Sequence, residues 1–199
     1  VRKIVLASRN KGKIQEIREL LAVLPLSVAG LEEYPGAPEV AETGTTFLEN
    51  AVLKAKAIAG FSGELALADD SGLEVDYLNG APGVYSARYG EPGWNDRQRY
   101  EYLLHNLGGV PENRRSARFR CVVAVYDPNN HMLITGEGKV EGFILTEPKG
   151  TNGFGYDPVF YIPDRTRTMA ELTDAEKNAI SHRGEAIRDL VTKLNRLEL

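Results

Sequence analysis

The chain is poor in several things that would have fixed its class at once. It has one cysteine, Cys121, in 199 residues, so no internal disulfide is possible. With a net charge of -4 it lacks the basic excess of a general nucleic-acid binder. No apolar stretch approaches the ~20 residues that cross a bilayer as a helix, so no membrane partner is expected. There is no internal repeat, low-complexity tract or obvious linker. The N-terminus runs straight into strand-like "KIVLA" without a signal-peptide layout. It opens on Val1, so an initiator methionine is expected to have been removed or left unnumbered. Together with the single thiol, in apolar "FRCVVAVY", this points to a buried strand cysteine and a cytoplasmic protein.

What remains is an ordinary globular composition, 42% apolar and 26% charged, sufficient for a sizeable core. "KIVLAS" reads as a buried strand. "IQEIRELLAVL" (14–24) repeats Ile14, Ile17, Leu20, Leu21 and Leu24 at helical spacing and is stopped by Pro25. "SVAG" (27–30) reads as a short strand, and residues 31–44 as a loop. A second helix is predicted over 46–60, opened by the capping box Thr46-x-x-Glu49. Strand-like "ELALAD" (64–69) and "LEVDYL" (73–78) follow, with Ser71-Gly72 expected to make a tight turn between them. Helix is predicted over 94–107, strands over 117–127 and 132–145, a Gly-rich connection over 148–160, and helix again over 173–198. Strands and helices mix without strict alternation. The expectation is an α/β fold with a mixed, twisted sheet flanked by helices, in a single domain (1–199).

Five stretches carry possible chemistry. "SRNKGK" (8–13) lies between a strand end and a helix start, where unpaired N–H groups and the helix dipole hold anions. Ser8, Asn10, Lys11 and Lys13 suit phosphate, although the string is no P-loop. "ALADDSGL" (66–73) sets Asp69 beside Asp70. Alternation along a strand sends them to opposite faces, so one can face a crevice to bind a divalent cation or activate water. The bland alternative is a solvated turn. "AETGTTFLENAVLKAKA" (41–57) adds Glu42, just before the second helix, and Lys54, at the edge of its apolar face; Glu49 and Lys56 fall on the solvent side. In "GTNGFGYDPVF" (150–160), Phe154 suits stacking on a flat base and Asp157 suits accepting a base N–H, unless the Phe plugs the core. In "EKNAISHRGEA" (176–186), Ser181 can cap a helix with His182 and Arg183 in its first turn, near Lys177. His105 and His131 read as structural.

Each signal is weak singly; jointly they describe a nucleotide-hydrolysing site. The motifs "KIVLASRNKGK", "ETGTTFLENAVLKA", "ADDSGLEVDYLNGAPGVYSARY", "GTNGFGYDPVF" and "ELTDAEKNAISHRGEA" closely resemble those of the inosine/xanthosine triphosphate pyrophosphatases, which remove deaminated purine nucleotides. The resemblance runs nearly end to end. It implies hydrolysis of ITP, dITP or XTP to the monophosphate and pyrophosphate, a Mg²⁺ cofactor, two lobes around a cleft, and a homodimer. It implies that Ser8, Asn10 and Lys13 contact the triphosphate with Lys54 nearby, and that Glu42 and Asp70 hold Mg²⁺. Asp70 would accept the proton of water, Asp69 would support it, and Ser71 would touch the substrate. Phe154 would stack on the purine, with Asp157, Lys177, Ser181, His182 and Arg183 around the base. Alternatives are a Maf-like or other nucleotide pyrophosphatase, a non-catalytic nucleotide sensor, and a nucleic-acid module using Arg114, Arg115, Arg118 and Arg120.

Overall fold

In the computed structural model, which describes residues 2–196, the elements run β1 (Arg2–Leu6), α1 (Lys11–Leu21), β2 (Leu26–Ala29), α2 (Phe47–Ser62), β3 (Leu65–Val75), α3 (Asp96–Asn106), β4 (Ser116–Tyr126), β5 (Leu133–Ile144), β6 (Phe160–Ile162), β7 (Arg167–Thr168), α4 (Asp174–Ile180) and α5 (His182–Asn195). Among the described residues, the strands form a seven-stranded sheet in the order β2-β1-β3-β4-β5-β6-β7. β1 pairs in parallel with β2 and β3, whereas β6 pairs antiparallel with β5 and β7. The fold is α/β, with a mixed sheet and flanking helices, as the element pattern predicts.

The chain divides into two compact units. The first holds the described chain up to Asp70, Cys121–Gly138, and the residues from His182 onward; the second holds Ser71–Arg120 and Lys139–Ser181. Each has its own core. In the first, Ile4, Leu6, Leu65, Leu67, Cys121, Val123 and Val125 meet Ile17 and Leu21 of α1 and Ile187 and Leu190 of α5. In the second, Leu73, Val75, Leu103, Phe119, Phe160 and Met169 are packed together.

In the first unit the strand residues at alternate positions face α1 and α5, and the others face away from them, as a period of two demands. α2 reaches the sheet through Ala51, Ala55 and Ala59, all fully buried. Capping decides where this unit's helices start. Asn10 Oδ1 accepts from Lys13 N at 3.2 Å, so α1 opens at Lys11, three residues before its apolar pattern begins. Thr46 and Glu49 form the expected capping box of α2. α5 presses on β5 so closely that a Cβ at Gly138 would collide with the His182 carbonyl. That contact pins the start of α5.

Two predictions need correcting. The expected turn at Ser71-Gly72 is absent: β3 runs unbroken through Asp69, Asp70, Ser71 and Gly72. Turn-type residues are held extended there because both aspartates find buried partners. The expected helix over 173–198 is two helices meeting at Ser181, which has extended backbone, and residues 197–198 lie outside the described residues. β6 and β7 are three and two residues long, too short to leave a periodic trace in sequence.

Candidate active site

The two adjacent aspartates have opposite surroundings. Asp69 continues the series Leu65, Leu67 toward α1 and α5. Its Oδ2 lies 3.0 Å from Lys13 Nζ and 3.3 Å from Arg183 Nη2. Arg183 is also paired with Glu16 of α1. Burial alone would push Asp69 up, but Lys13, Arg183 and Lys54 outweigh it and hold the carboxyl far below the usual range. The same carboxylates, against the same burial, hold Arg183 firmly charged.

Asp70 continues the series Ala66, Ala68 toward α2. Asn50 Nδ2 donates to its Oδ2 at 3.0 Å. Lys54 Nζ stands 3.9 Å from its Oδ1 and donates to Glu42 Oε1 at 2.5 Å. Burial dominates here, Glu42 adds repulsion, and the Asp70 carboxyl is pushed up to about 6 in spite of Lys54. Lys54 is held charged: Asp69, Asp70 and Glu42 together outweigh the cost of its burial. One aspartate is thus a permanent anion that braces a lysine. The other sits near its proton's release point at neutral pH, the condition a general base needs.

The phosphate-loop expectation rests on the start of α1. Ser8 Oγ accepts from Asn10 N at 3.2 Å, and Asn10 caps the helix. The first turn carries no acid; Lys11 and Lys13 occupy it instead. A helix start normally attracts acids, so this one presents N–H groups and two ammonium groups in a pattern suited to a bound anion.

Glu42 and Asp70 also form the donor set expected for a divalent cation. Among the described residues no group of three or more His, Cys, Asp or Glu side chains is arranged to hold a metal ion. Two carboxylates are nevertheless the set that Mg²⁺ takes from a protein when phosphate oxygens and water complete its shell. A cation there would also relieve the like-charge pressure that raises Asp70. The residues fit the group.

In the second unit, Asp157 Oδ2 accepts from Phe154 N at 3.0 Å and from Lys177 Nζ at 2.7 Å. Both side chains of this ion pair are about 95% buried. Lys177 Nζ also lies 4.4 Å from the Phe154 ring centroid. The Gly-rich loop curls around Asp157 itself: a Cβ at Gly153 would collide with its carboxylate. Asp96 of α3 fastens the loop through Gly155 N at 2.8 Å, and the Tyr156 hydroxyl donates to Ser86 O at 2.7 Å. Tyr156, not Phe154, is the aromatic that plugs the core; Phe154 is half-buried.

The structure therefore brings Lys13, Asp69, Asp70, Glu42 and Lys54 together in the first unit, and Phe154, Asp157 and Lys177 together in the second. Ser71 follows Asp70 on β3 and is half-buried; Ser181 and His182, both buried, link α4 to α5. The Arg183 guanidinium, expected beside a base, pairs with Asp69 and Glu16. Of the arginines considered for nucleic acid, Arg115 is buried and donates to the carbonyls of Leu107, Ile144 and Leu145. Arg118 is bound to Asp76 and Glu141, and Arg120 lies 3.5 Å from Glu74. Sequence reasoning missed Asn50 and Glu16. The available signal was a polar residue on the inward face of a helix: Asn50 sits beside Ala51 and one turn before Lys54, and Glu16 adjoins Ile17.

The model of the Ham1 family matches residues 4–193. This chain belongs to the Ham1 family. It is 55% identical over 196 residues to the dITP/XTP pyrophosphatase of Desulforamulus reducens, covering 98% of this chain and 96% of that one. It is 49% identical to the corresponding Bacillus licheniformis protein, with 98% and 99% covered. Among solved structures, a HAM1 protein from Coxiella burnetii superposes with a TM-score of 0.90 at 46% identity, over 98% of this chain and 100% of that one. The Staphylococcus aureus Ham1 protein gives 0.86 at 41%, over the whole of both chains. The matched span of this Ham1 chain contains both the acid cluster and the Gly-rich Phe154 loop.

Proposed function

We propose that this chain is a nucleoside triphosphate pyrophosphatase for deaminated purine nucleotides, with ITP, dITP and XTP as substrates. The reaction is NTP + H₂O → NMP + pyrophosphate, by attack of water at the α-phosphorus. One observation carries the reading: buried Asp70, its carboxyl pushed up by burial, stands with Glu42 and Lys54, while its neighbour Asp69 braces Lys13 at the start of α1. The names of the relatives support the same reaction class.

In this reading, Ser8, Asn10, Lys13 and Lys54 bind the triphosphate together with the first N–H groups of α1, and Ser71 touches the substrate. Asp70 takes the proton from the attacking water. Asp69 keeps Lys13 in place, and Arg183 keeps Asp69 in place. Glu42 and Asp70 would hold Mg²⁺, which when bound would offset phosphate charge and acidify water. Positioning and charge are the main needs of phosphoryl transfer.

Phe154 stacks on the purine, and Asp157, Lys177, Ser181, His182 and Arg183 are the residues assigned to the base. Selectivity follows from hydrogen-bond polarity. Hypoxanthine and xanthine present O6 as an acceptor and N1–H as a donor; adenine reverses both. A donor such as Lys177 or a backbone N–H facing O6 meets another donor in adenine, and each buried mismatch costs about 1–3 kcal/mol.

The test is a panel of ITP, dITP, XTP, GTP and ATP with Mg²⁺, reading pyrophosphate against orthophosphate. Pyrophosphate release fastest from ITP, dITP and XTP is expected. A preference for ATP defeats the substrate assignment, and tight binding without turnover makes the chain a sensor. The reading includes a cytoplasmic homodimer, as the resemblance implies; a monomer in sedimentation overturns that part. Among the described residues no helix is long and apolar enough to cross a membrane.

A further inference from the structure

Asn50 is fully buried on α2 and uses both ends of its amide. Nδ2 donates to Asp70 Oδ2 at 3.0 Å. Oδ1 accepts from Gly44 N at 2.8 Å. These two bonds fix which way the amide points, since a flipped amide would set its oxygen against the carboxylate and its NH₂ against an N–H. Gly44 lies two residues after Glu42. A Cβ there would sit 2.6 Å from Glu49 Cβ and 2.7 Å from Asn50 Oδ1, so the approach requires glycine. Beside it, Glu49 Oε2 accepts from Thr45 N at 2.6 Å and Thr46 N at 3.3 Å. The loop bearing Glu42 is thereby fastened to the first turn of α2, and α2 is fastened to Asp70 through the same asparagine.

We infer that Asn50 is a positioning residue that sets the spacing between Glu42 and Asp70, with Gly44 as the other half of the joint. It touches neither water nor phosphate in this role; it acts through the two carboxylates. An apolar residue at position 50 would remove both bonds at once, the one to Gly44 N and the one to Asp70 Oδ2. Alanine at position 44 would leave Asn50 on Asp70 but push the Glu42 loop away. The two changes break one joint at different ends, which separates a joint from two unrelated structural roles.

The inference rests on the proposed function only in taking Glu42 and Asp70 as cation ligands. It is tested by a measurement without turnover. Mn²⁺ binding is followed by electron paramagnetic resonance in the presence of an ITP analogue with a methylene bridge between its α- and β-phosphorus atoms. The parent, Asn50→Ala, Gly44→Ala and the double variant are compared, with thermal unfolding in EDTA alongside. Each single variant is expected to weaken Mn²⁺ binding about 10–100-fold, the range for residues that orient metal ligands. The double variant is expected to fall no further than the weaker of the two singles, because the joint is already open. In turnover assays kcat should fall while KM for ITP stays within about threefold. Parent-like Mn²⁺ binding in Gly44→Ala, or losses that multiply in the double variant, overturns the inference. If Asn50→Ala does not fold, Gly44→Ala decides alone. A parent that binds Mn²⁺ with the analogue but releases no pyrophosphate from any nucleotide would sink the proposed function and leave this test standing.

Discussion

The acid cluster of the first unit and the Phe154 loop of the second use similar parts to opposite ends. In the second, one buried aspartate, Asp157, meets one buried lysine and a backbone N–H, and the loop around it is tied down by Asp96 and Tyr156. In the first, Asp70 and Glu42 share Lys54, and burial lifts Asp70 to about 6. Charge is balanced pair by pair where a shape must be held. It is left unbalanced around Asp70 and Glu42, where the proposed reaction would handle a proton and a polyanion. An imbalance of that kind costs stability and is retained at sites that do chemistry.

The largest expected effect tests the unbalanced side. Asp70→Asn keeps shape and removes the base, so kcat for ITP should fall about 10²–10⁴-fold, the usual worth of a positioned general base, with nucleotide binding largely kept. Equal rates in variant and parent would take Asp70 out of the mechanism. The next tests the balanced side. Lys177→Met leaves Asp157 buried without its ammonium, and breaking such a pair costs about 3–5 kcal/mol, read by urea unfolding. Lys54→Met should cost clearly less, because Glu42 is partly exposed and Asp70 can take a proton. If the two lysines cost the same, the contrast between the regions is wrong.

Much of this was legible beforehand, and what was not has identifiable causes. Helix starts are legible at Thr46 and Thr173 because a capping box is a local device, and both boxes are present. The strand through Asp69 and Asp70 is misread because Asp-Asp-Ser-Gly has turn chemistry, and the cations that hold it extended come from α1 and from Arg183, 114 residues away. Arg183 draws attention through its neighbour His182, but its pairing with buried Glu16 and Asp69 joins residues 167 and 114 positions apart and leaves no local trace. Asn50 is invisible because its two partners lie on a loop and a strand that no local pattern connects to it. The residue types in the site are readable from sequence; which charge balances which depends on packing.

The third prediction follows from the sign of the Asp70 shift. Its folded value is raised above its ordinary 3.8 to about 6, so the proton favours the folded state. That contribution is fully present below about pH 4 and is lost as pH rises through 6. Asp70→Asn does not titrate. Without metal, the variant should gain on the parent by roughly 2–3 kcal/mol between pH 4 and pH 7.5, measured by denaturant unfolding in EDTA at both values. A variant-to-parent difference that does not move with pH would mean that the parent carries no such imbalance.

The smallest effect belongs to the base side. Phe154 is only half-buried, and its ring centroid lies 4.4 Å from Lys177 Nζ, a contact in which the aromatic face meets a cation. Its contribution to the core is therefore small, and stacking on a purine would be its main service, worth about 1–3 kcal/mol. Phe154→Ala should weaken ITP binding about 5–150-fold, leave kcat within a few-fold at saturation, and barely change the unfolding midpoint. Phe154→Trp should restore binding, since a larger ring still stacks. A loss of stability as large as that in Lys177→Met, without a change in affinity, would make Phe154 part of the scaffold and move recognition of the base elsewhere.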